Sequence, residues 1–442
     1  MTETLAFDDL VQALHQRFAA LPDCRKGKNT QYAIADAALG AFAVFFTQSP
    51  SFLAYQRTMR QAKGRSNADS LFGMGEIPCD NQIRTLLDPI DPAQLFPVFD
   101  GVYKALERAE QLGAFRAFAG QLLIAFDGTE YFSSQEIHCD RCSQRTQRNG
   151  QVTYFHQVIT PVLVAPGNPA VLALEPEFIT PQDGHEKQDC EQIAAKRWIE
   201  RNAGRYPHAT ILGDDLYCKQ PFCELLLRHD CNFIFVCKPE SHTTLYEWLA
   251  GVEAAGDLQS FIVRRWNGRF RTISTYRYAN DVPLREGEDA LWVNWCELTI
   301  SKESDGTILY RNAFATQHHL DRTNVESVVQ AGRARWKIEN ENNNTLKTKG
   351  YHLEHNYGHG KQHLAAVLLT LNLLAFLFHT VLGWTDRKYH LVRQALAARQ
   401  TFFQDLQALT RYLLFESWDH LLDFMLQGLE IAILPDPARI PK

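Results

Sequence analysis

Two acidic residues stand one position past short apolar runs. Gln121-Leu-Leu-Ile-Ala-Phe126 ends in Asp127-Gly-Thr, and His208-Ala-Thr-Ile-Leu-Gly213 ends in Asp214-Asp215. Each run has the length and composition of a buried central strand with a polar residue at its C-terminal tip. Open α/β sheets bind ligands beyond the carboxyl ends of their strands. Neighbouring tips of this kind therefore bring two carboxylates together, and such pairs repel unless a cation lies between them. A third acid, Glu339, lies in the segment Arg333-Ala-Arg-Trp-Lys-Ile-Glu-Asn-Glu-Asn-Asn-Asn-Thr-Leu-Lys347. Arg335, four residues before it, shares its helix face and can reach a phosphate. Glu341 is the alternative third acid, but two residues along a helix it points about 200° away, so Glu339 is preferred. Hard oxygen ligands, cations for phosphate and the absence of a P-loop point to metal-assisted phosphodiester chemistry rather than nucleotide hydrolysis.

The elements that must position these acids form five stretches. Residues 1–116 read as helical, with an apolar Ala33–Thr47 and an amphipathic Asp80–Asp88, as a DNA-binding or assembly region. Residues 117–240 open with β-rich segments (Val152–Val164, Val171–Ile179) and then alternate strand and helix, the first part of a mixed α/β core. Residues 241–320 are a β-rich insertion with runs at Phe261–Tyr278, Ala290–Ile300 and Thr307–Thr316. Residues 321–382 complete the core, with helical spacing from Asn324 toward Leu346. Residues 383–442 read as amphipathic helices.

Ala125-Phe-Asp-Gly-Thr, Leu212-Gly-Asp-Asp-Leu-Tyr217 and Arg335-Trp-Lys-Ile-Glu339 with Leu346-Lys347 together resemble the bacterial insertion-sequence transposases of the Asp-Asp-Glu class. The resemblance is to the cut-and-paste group whose ribonuclease-H-like core is interrupted by a β-rich insertion, and it covers about residues 117–380. It implies that Asp127, Asp214 (three before Tyr217, and a better match than Asp215) and Glu339 are the catalytic, metal-holding acids. It further implies two Mg²⁺ ions, with Mn²⁺ as substitute, DNA cleavage followed by strand transfer, double-stranded DNA as partner, and a homodimer acting on two element ends. Arg335, Lys337 and Lys347 are the cations this segment offers to DNA. Two positions depart from the group. Its Tyr three before the Arg is Gly332 here, and its Lys seven after the Glu is Leu346, with Lys347 one further on. A nuclease of the same fold without strand transfer, or a non-catalytic DNA-binding descendant, are the alternative readings.

The chain carries Lys+Arg 45 against Asp+Glu 51, a net charge of −6, so no global basic excess points to nucleic acid and any polyanion site must be local. Leu258–Asn280 supplies one: Arg264, Arg265, Arg269, Arg271 and Arg277 with no Asp or Glu, interleaved with Phe261, Trp266, Phe270, Tyr276 and Tyr278. Cations mixed with aromatics suit backbone tracking and base stacking, whereas an edge hairpin uses arginines to deter aggregation. Arg57, Arg60, Lys63 and Arg65 form a smaller basic stretch, and Arg141, Arg145 and Arg148 another beside the first strand.

Cys139 and Cys142 have C-x-x-C spacing, and His156 or Cys190 offers further ligands for a structural zinc; free thiols in a loop are the competing reading. His355, His359 and His363 recur every four residues, but Gly358 and Gly360 argue for a loop, with solvent or phosphate as the expected surroundings. The polar run Gln182–Cys190, with Glu186 and Lys187, is explained by turn and capping chemistry.

At 442 residues, 45% hydrophobic and 22% charged, the chain is globular and spans two to four structural units. Ten cysteines at scattered spacings and a start without basic and apolar export features predict a reduced, cytoplasmic, nucleoid-associated protein. Leu364–Leu382 is apolar enough for a membrane, but it holds Thr370, Asn372, His379 and Thr380 and reads as a helix buried on all sides, so no membrane partner is expected.

Overall fold

The computed structural model describes residues 5–432, except Cys24, residues 26–29, Gln61, Ala117 and residues 182–189. Glu186 and Lys187 thus lie outside the described residues, as does the side chain of Arg65; Arg57, Arg60 and Lys63 are exposed.

Helices α1 (Phe7–Ala19), α2 (Ile34–Phe46), α3 (Phe52–Met59), α4 (Ala62–Phe72), α5 (Asp80–Leu87) and α6 (Pro97–Arg108) precede the first strand. The strands then follow as β1 (Leu123–Ala125), β2 (Gly128–Ser134), β3 (Ser143–Thr146), β4 (Val152–Ile159), β5 (Val162–Val164), β6 (Leu172–Ala173) and β7 (Glu177–Ile179). After α7 (Glu191–Asn202) come β8 (Thr210–Gly213), α8 (Gln220–Arg228), β9 (Asn232–Val236) and α9 (Thr243–Ala255). Four longer strands follow: β10 (Gln259–Trp266), β11 (Arg271–Pro283), β12 (Trp292–Lys302) and β13 (Ile308–Thr316).

The described strands make two sheets. The larger has nine strands in the order β10-β11-β12-β13-β9-β8-β1-β5-β6. Its centre is parallel, β1 with β8 and β8 with β9, and both wings are antiparallel. The chain is therefore mixed α/β, and β10–β13 continue the same sheet instead of forming a separate one. The central strands are fully apolar because helices cover both faces: every residue of β1 and β8 is buried. The smaller sheet is β2-β4-β3, with β7 on β4. Two crossovers join the sheets side by side. The chain leaves β1 for β2 through Phe126-Asp127 and returns from β4 to β5 through Thr160-Pro161, where the Thr160 N–H donates to the Asp127 carbonyl at 3.3 Å.

After β13 come α10 (Val325–Arg333), a π-helical turn at Ile338–Asn343 and α11 (Asn344–Thr348). The continuous helix expected through Leu346 is thus interrupted. Asn340, Asn342, Asn343 and Asn344 are poor helix formers whose amides compete for backbone partners, and π turns concentrate at functional sites. Gly332 sits where α10 crosses the sheet: a Cβ there would lie 2.8 Å from the Phe314 ring and 2.9 Å from Ile234 Cγ2. Close helix–sheet packing therefore leaves no room for a larger side chain at this position. Gly332→Tyr is expected to destabilise the fold by at least about 1–3 kcal/mol through overpacking, read as a lower urea midpoint. An unchanged midpoint would contradict this packing.

Helix α12 (Leu364–Thr385), the one long apolar helix among the described residues, is largely buried and packs on α2. Helices α13 (Arg387–Ala395), α14 (Arg399–Tyr412) and α15 (Trp418–Gly428) close over the N-terminal helices. Asn67 Nδ2 donates to the carbonyls of Thr410 and Leu413, and Trp418 Nε1 to that of Leu71, so the two terminal helical regions share one core. At its centre His379 Nε2 donates to the Phe46 carbonyl at 2.9 Å while Nδ1 accepts from Tyr389 Oη at 2.6 Å. Both bonds suit the neutral ring, and burial holds its pKa well below the ordinary 6.5. Below pH 6.5 the unfolded chain takes up a proton that the folded one refuses, so stability falls as pH drops from there. His379→Phe is expected to flatten that part of the stability–pH curve measured by urea unfolding.

Candidate functional site

The parallel pairing of β1 and β8 sets Ala125 opposite Leu212, and the Phe126 N–H donates to the Leu212 carbonyl at 2.9 Å. The same register places Asp127 beside Asp214, on strands about 4.8 Å apart. Asp127 is half-buried and its carboxyl is pushed up to about 7, first by burial and then by the charges of Glu191, Glu339 and Asp214, against which Arg335 acts. The three acids read from the sequence therefore share one electrostatic neighbourhood. Asp215 turns elsewhere: its Oδ1 accepts from the Lys238 N–H at 2.7 Å and lies 3.3 Å from His242 Nε2. Glu341 is exposed and lines a separate cavity with Gln48 and Lys349.

Two members of the pocket were not legible as site residues. Glu191, the first residue of α7, accepts from the Gly128 N–H at 3.1 Å and from Tyr217 Oη at 2.5 Å. Burial and the nearby Asp214 raise its pKa. Gly128 has to be glycine for this contact, since a Cβ would stand 2.4 Å from Glu191 Oε2. Asn343, in the π turn, donates through Nδ2 to Asp127 Oδ2 at 2.8 Å and accepts from Thr160 Oγ1 at 3.0 Å. One amide thus ties the segment that carries Glu339 to both sheet crossovers. The only sequence signals were an acid opening a helix after a polar run and an asparagine cluster set inside a helical pattern.

Of the cations assigned to DNA, Arg335 is nearly buried and pairs with Glu339, Nη1 to Oε1 at 2.7 Å, where it orients that acid. Lys337 Nζ donates to the Asn168 carbonyl at 2.5 Å, and Lys347 pairs with Glu354 at 2.8 Å. Leu346 is fully buried, which explains why that position carries no lysine. On the β10–β11 hairpin, at the sheet edge, Arg264, Arg265, Arg269 and Arg271 are all exposed, as is Trp266 at 64%. Arg264 pairs with Glu303 and Arg265 with Glu326, while Arg269 and Arg271 make no ion pair with a described residue.

A second group of donors lies on the smaller sheet. Cys139 and Cys142 precede β3, His156 is on β4, and the fourth donor is His359, from the loop before α12. All four ligand atoms lie within 4.8 Å of one another. Two expectations need correction. Cys190 is exposed ahead of α7 and takes no part in this group. His359 is in a loop as expected but is buried against the cysteines instead of facing solvent. The reason is topological: β2 and β4 stand beside the start of α12, so a residue 203 positions from His156 comes within 3.1 Å of it.

No protein-family model matches the chain, and no curated protein matches it significantly. Asp127, Asp214 and Glu339 form a hard-oxygen group, with Glu191 beside Asp127 and one arginine partly compensating, but among the described residues only the two cysteine–histidine groups bring three or more donor atoms within 4.8 Å of one another.

Proposed function

We propose that the protein is an insertion-sequence transposase of the Asp-Asp-Glu class with a ribonuclease-H-like core, cutting DNA at element ends and joining the freed ends to a target. The observation that carries this reading is the register of Asp127 with Asp214 on adjacent parallel strands, with the charge of Glu339, in the π turn, acting on Asp127. Asp127, Asp214 and Glu339 would hold Mg²⁺. The chemistry such an ion would supply is acidification of a water or a DNA 3′-hydroxyl and charge stabilisation of the leaving 3′-oxygen.

The chain's own part is placement. Asn343 fixes the rotamer of Asp127, Arg335 that of Glu339, and Glu191 with Tyr217 walls the pocket from below. No protein nucleophile or general base is needed, because catalysis here is positioning and charge stabilisation. The exposed Arg269 and Arg271, with Trp266 beside them, are the surface offered to the DNA backbone and to unpaired bases. A second copy would serve the other element end, on the nucleoid of a cytoplasm.

The test mixes purified protein, Mg²⁺, a duplex copied from the DNA flanking its own reading frame, and a supercoiled target plasmid. Covalent joining of duplex 3′-ends to plasmid is the expected result. Cleavage without joining would make it a nuclease; binding with neither would overturn the enzymatic reading.

A further inference from the structure

The geometry points to a structural zinc site formed by Cys139, Cys142, His156 and His359, a feature independent of the transposase reading. The four donors are two thiols and two imidazole nitrogens. Sγ of Cys139 lies 3.9 Å from Sγ of Cys142 and 3.7 Å from His156 Nε2. Sγ of Cys142 lies 3.5 Å from His156 Nε2 and 3.4 Å from His359 Nε2, and the two Nε2 atoms are 3.1 Å apart. A tetrahedral zinc with bonds of about 2.3 Å to sulfur and 2.0–2.1 Å to nitrogen sets its ligands roughly 3.3–3.8 Å apart. The observed spread brackets that range.

The tautomer agrees. His359 Nδ1 lies 3.0 Å from the Gly360 carbonyl, so it carries the proton and leaves the Nε2 lone pair aimed at the centre of the group. A backbone carbonyl on the far nitrogen is the usual outer partner of a zinc-bound histidine. Two lone-pair nitrogens facing each other at 3.1 Å repel unless a proton or a cation lies between them. A cavity of about 240 Å³ lined by Tyr131, Cys139, Arg141, His156, His359 and His363 gives an ion a way in.

All four positions are filled by protein, so the ion serves structure and leaves no coordination place for substrate. It would staple the smaller sheet to the loop that leads from α11 into α12. Both attached segments bear on the candidate catalytic pocket: β2 begins one residue after Asp127, and β4 ends one residue before Thr160. A separate buried trio, Cys218, Cys237 and His242, lies behind Asp215 and belongs to another part of the fold.

The experiment measures zinc in full-length protein purified without chelator, by atomic absorption. Wild type and Cys190→Ser are expected to hold one zinc per chain at this site, and Cys218→Ser to keep that ion. Cys142→Ser and His359→Ala are expected to lose it, while His359→Cys, which restores a ligand, retains it and shows that the fold survives. Cobalt-exchanged wild type should show thiolate charge-transfer bands and the strong visible absorption of a tetrahedral ion. Hydrogen exchange in residues 352–363 should accelerate when the metal is stripped. Zinc-free wild type that binds no added zinc, an unchanged zinc content in both Cys142→Ser and His359→Ala, or a cobalt spectrum without thiolate bands would each overturn the site.

Discussion

Asp127→Ala is expected to lower Mg²⁺-dependent strand cleavage by roughly 10³-fold or more while leaving duplex binding intact. Metal clamping of a phosphodiester transition state contributes several kcal/mol, and each 1.36 kcal/mol is a factor of ten in rate, so losing about 4 kcal/mol removes three decades. Asp127 is the acid on which the others act: half-buried, bonded to Asn343, and repelled by Glu191, Glu339 and Asp214. The exposed arginines of the β10–β11 hairpin are far from this change in sequence and chemistry, which is why binding should survive. Asp127→Asn separates the charge from the fold, because its amide oxygen can still accept from Asn343 Nδ2. It should lose cleavage as completely as the alanine variant. Its stability should match or exceed wild type, since one of four crowded carboxylates is gone. Gel assays of cleavage and urea unfolding read the two effects. Cleavage by Asp127→Asn within tenfold of wild type would remove Asp127 from the chemistry.

The second large effect divides two glutamates only two residues apart. Glu339→Gln is expected to cost a similar three decades in cleavage, on the same reasoning, whereas Glu341→Gln should stay within about threefold of wild type. Glu339 is held by Arg335 at 2.7 Å and acts on Asp127. Glu341 is exposed on the far side, beside Lys349 and Gln48. The glutamine also frees Arg335, whose buried Nε already has no hydrogen-bond partner among the described residues. A stability loss is therefore expected with the loss of rate, because the buried Arg335 guanidinium loses its half-exposed partner. Equal activity in the two variants would dissolve the assignment.

The mixed sheet and the two strand-tip acids were readable because a short apolar run bounded by polar residues carries its own boundary, and β1 and β8 are such runs. The pairing of those strands was only an assumption in the sequence, since nothing local encodes which strand lies beside which. Glu339 was placed on a regular helix. The structure instead sets it in a π turn, where the asparagine-rich stretch yields to Asn343 reaching Asp127. Gly332 and Leu346 looked like departures from a motif; each answers a packing demand, one against Phe314 and Ile234 and the other in the core. Glu191 was missed because a glutamate at a helix start is ordinary capping chemistry, and only the fold brings it under Gly128 and Tyr217. The zinc ligands show the same limit. Cys139, Cys142 and His156 are close in sequence and can be grouped, but spacing alone does not separate Cys190 from a more distant donor, and His359 joins them only because the fold lays the start of α12 beside the smaller sheet.

The gathering of Asp127, Asp214 and Glu339 around a common metal is best tested by iron-directed backbone cleavage of the protein itself. Fe²⁺ substituted at the site, with ascorbate and peroxide, cuts the polypeptide wherever the chain approaches the ion, and the fragments are identified by mass spectrometry. Cuts clustered near residues 127, 214 and 339, suppressed by excess Mg²⁺ and absent in Asp127→Ala, are the predicted result. Cuts at one of these positions without the other two, or a pattern that Asp127→Ala leaves unchanged, would contradict it.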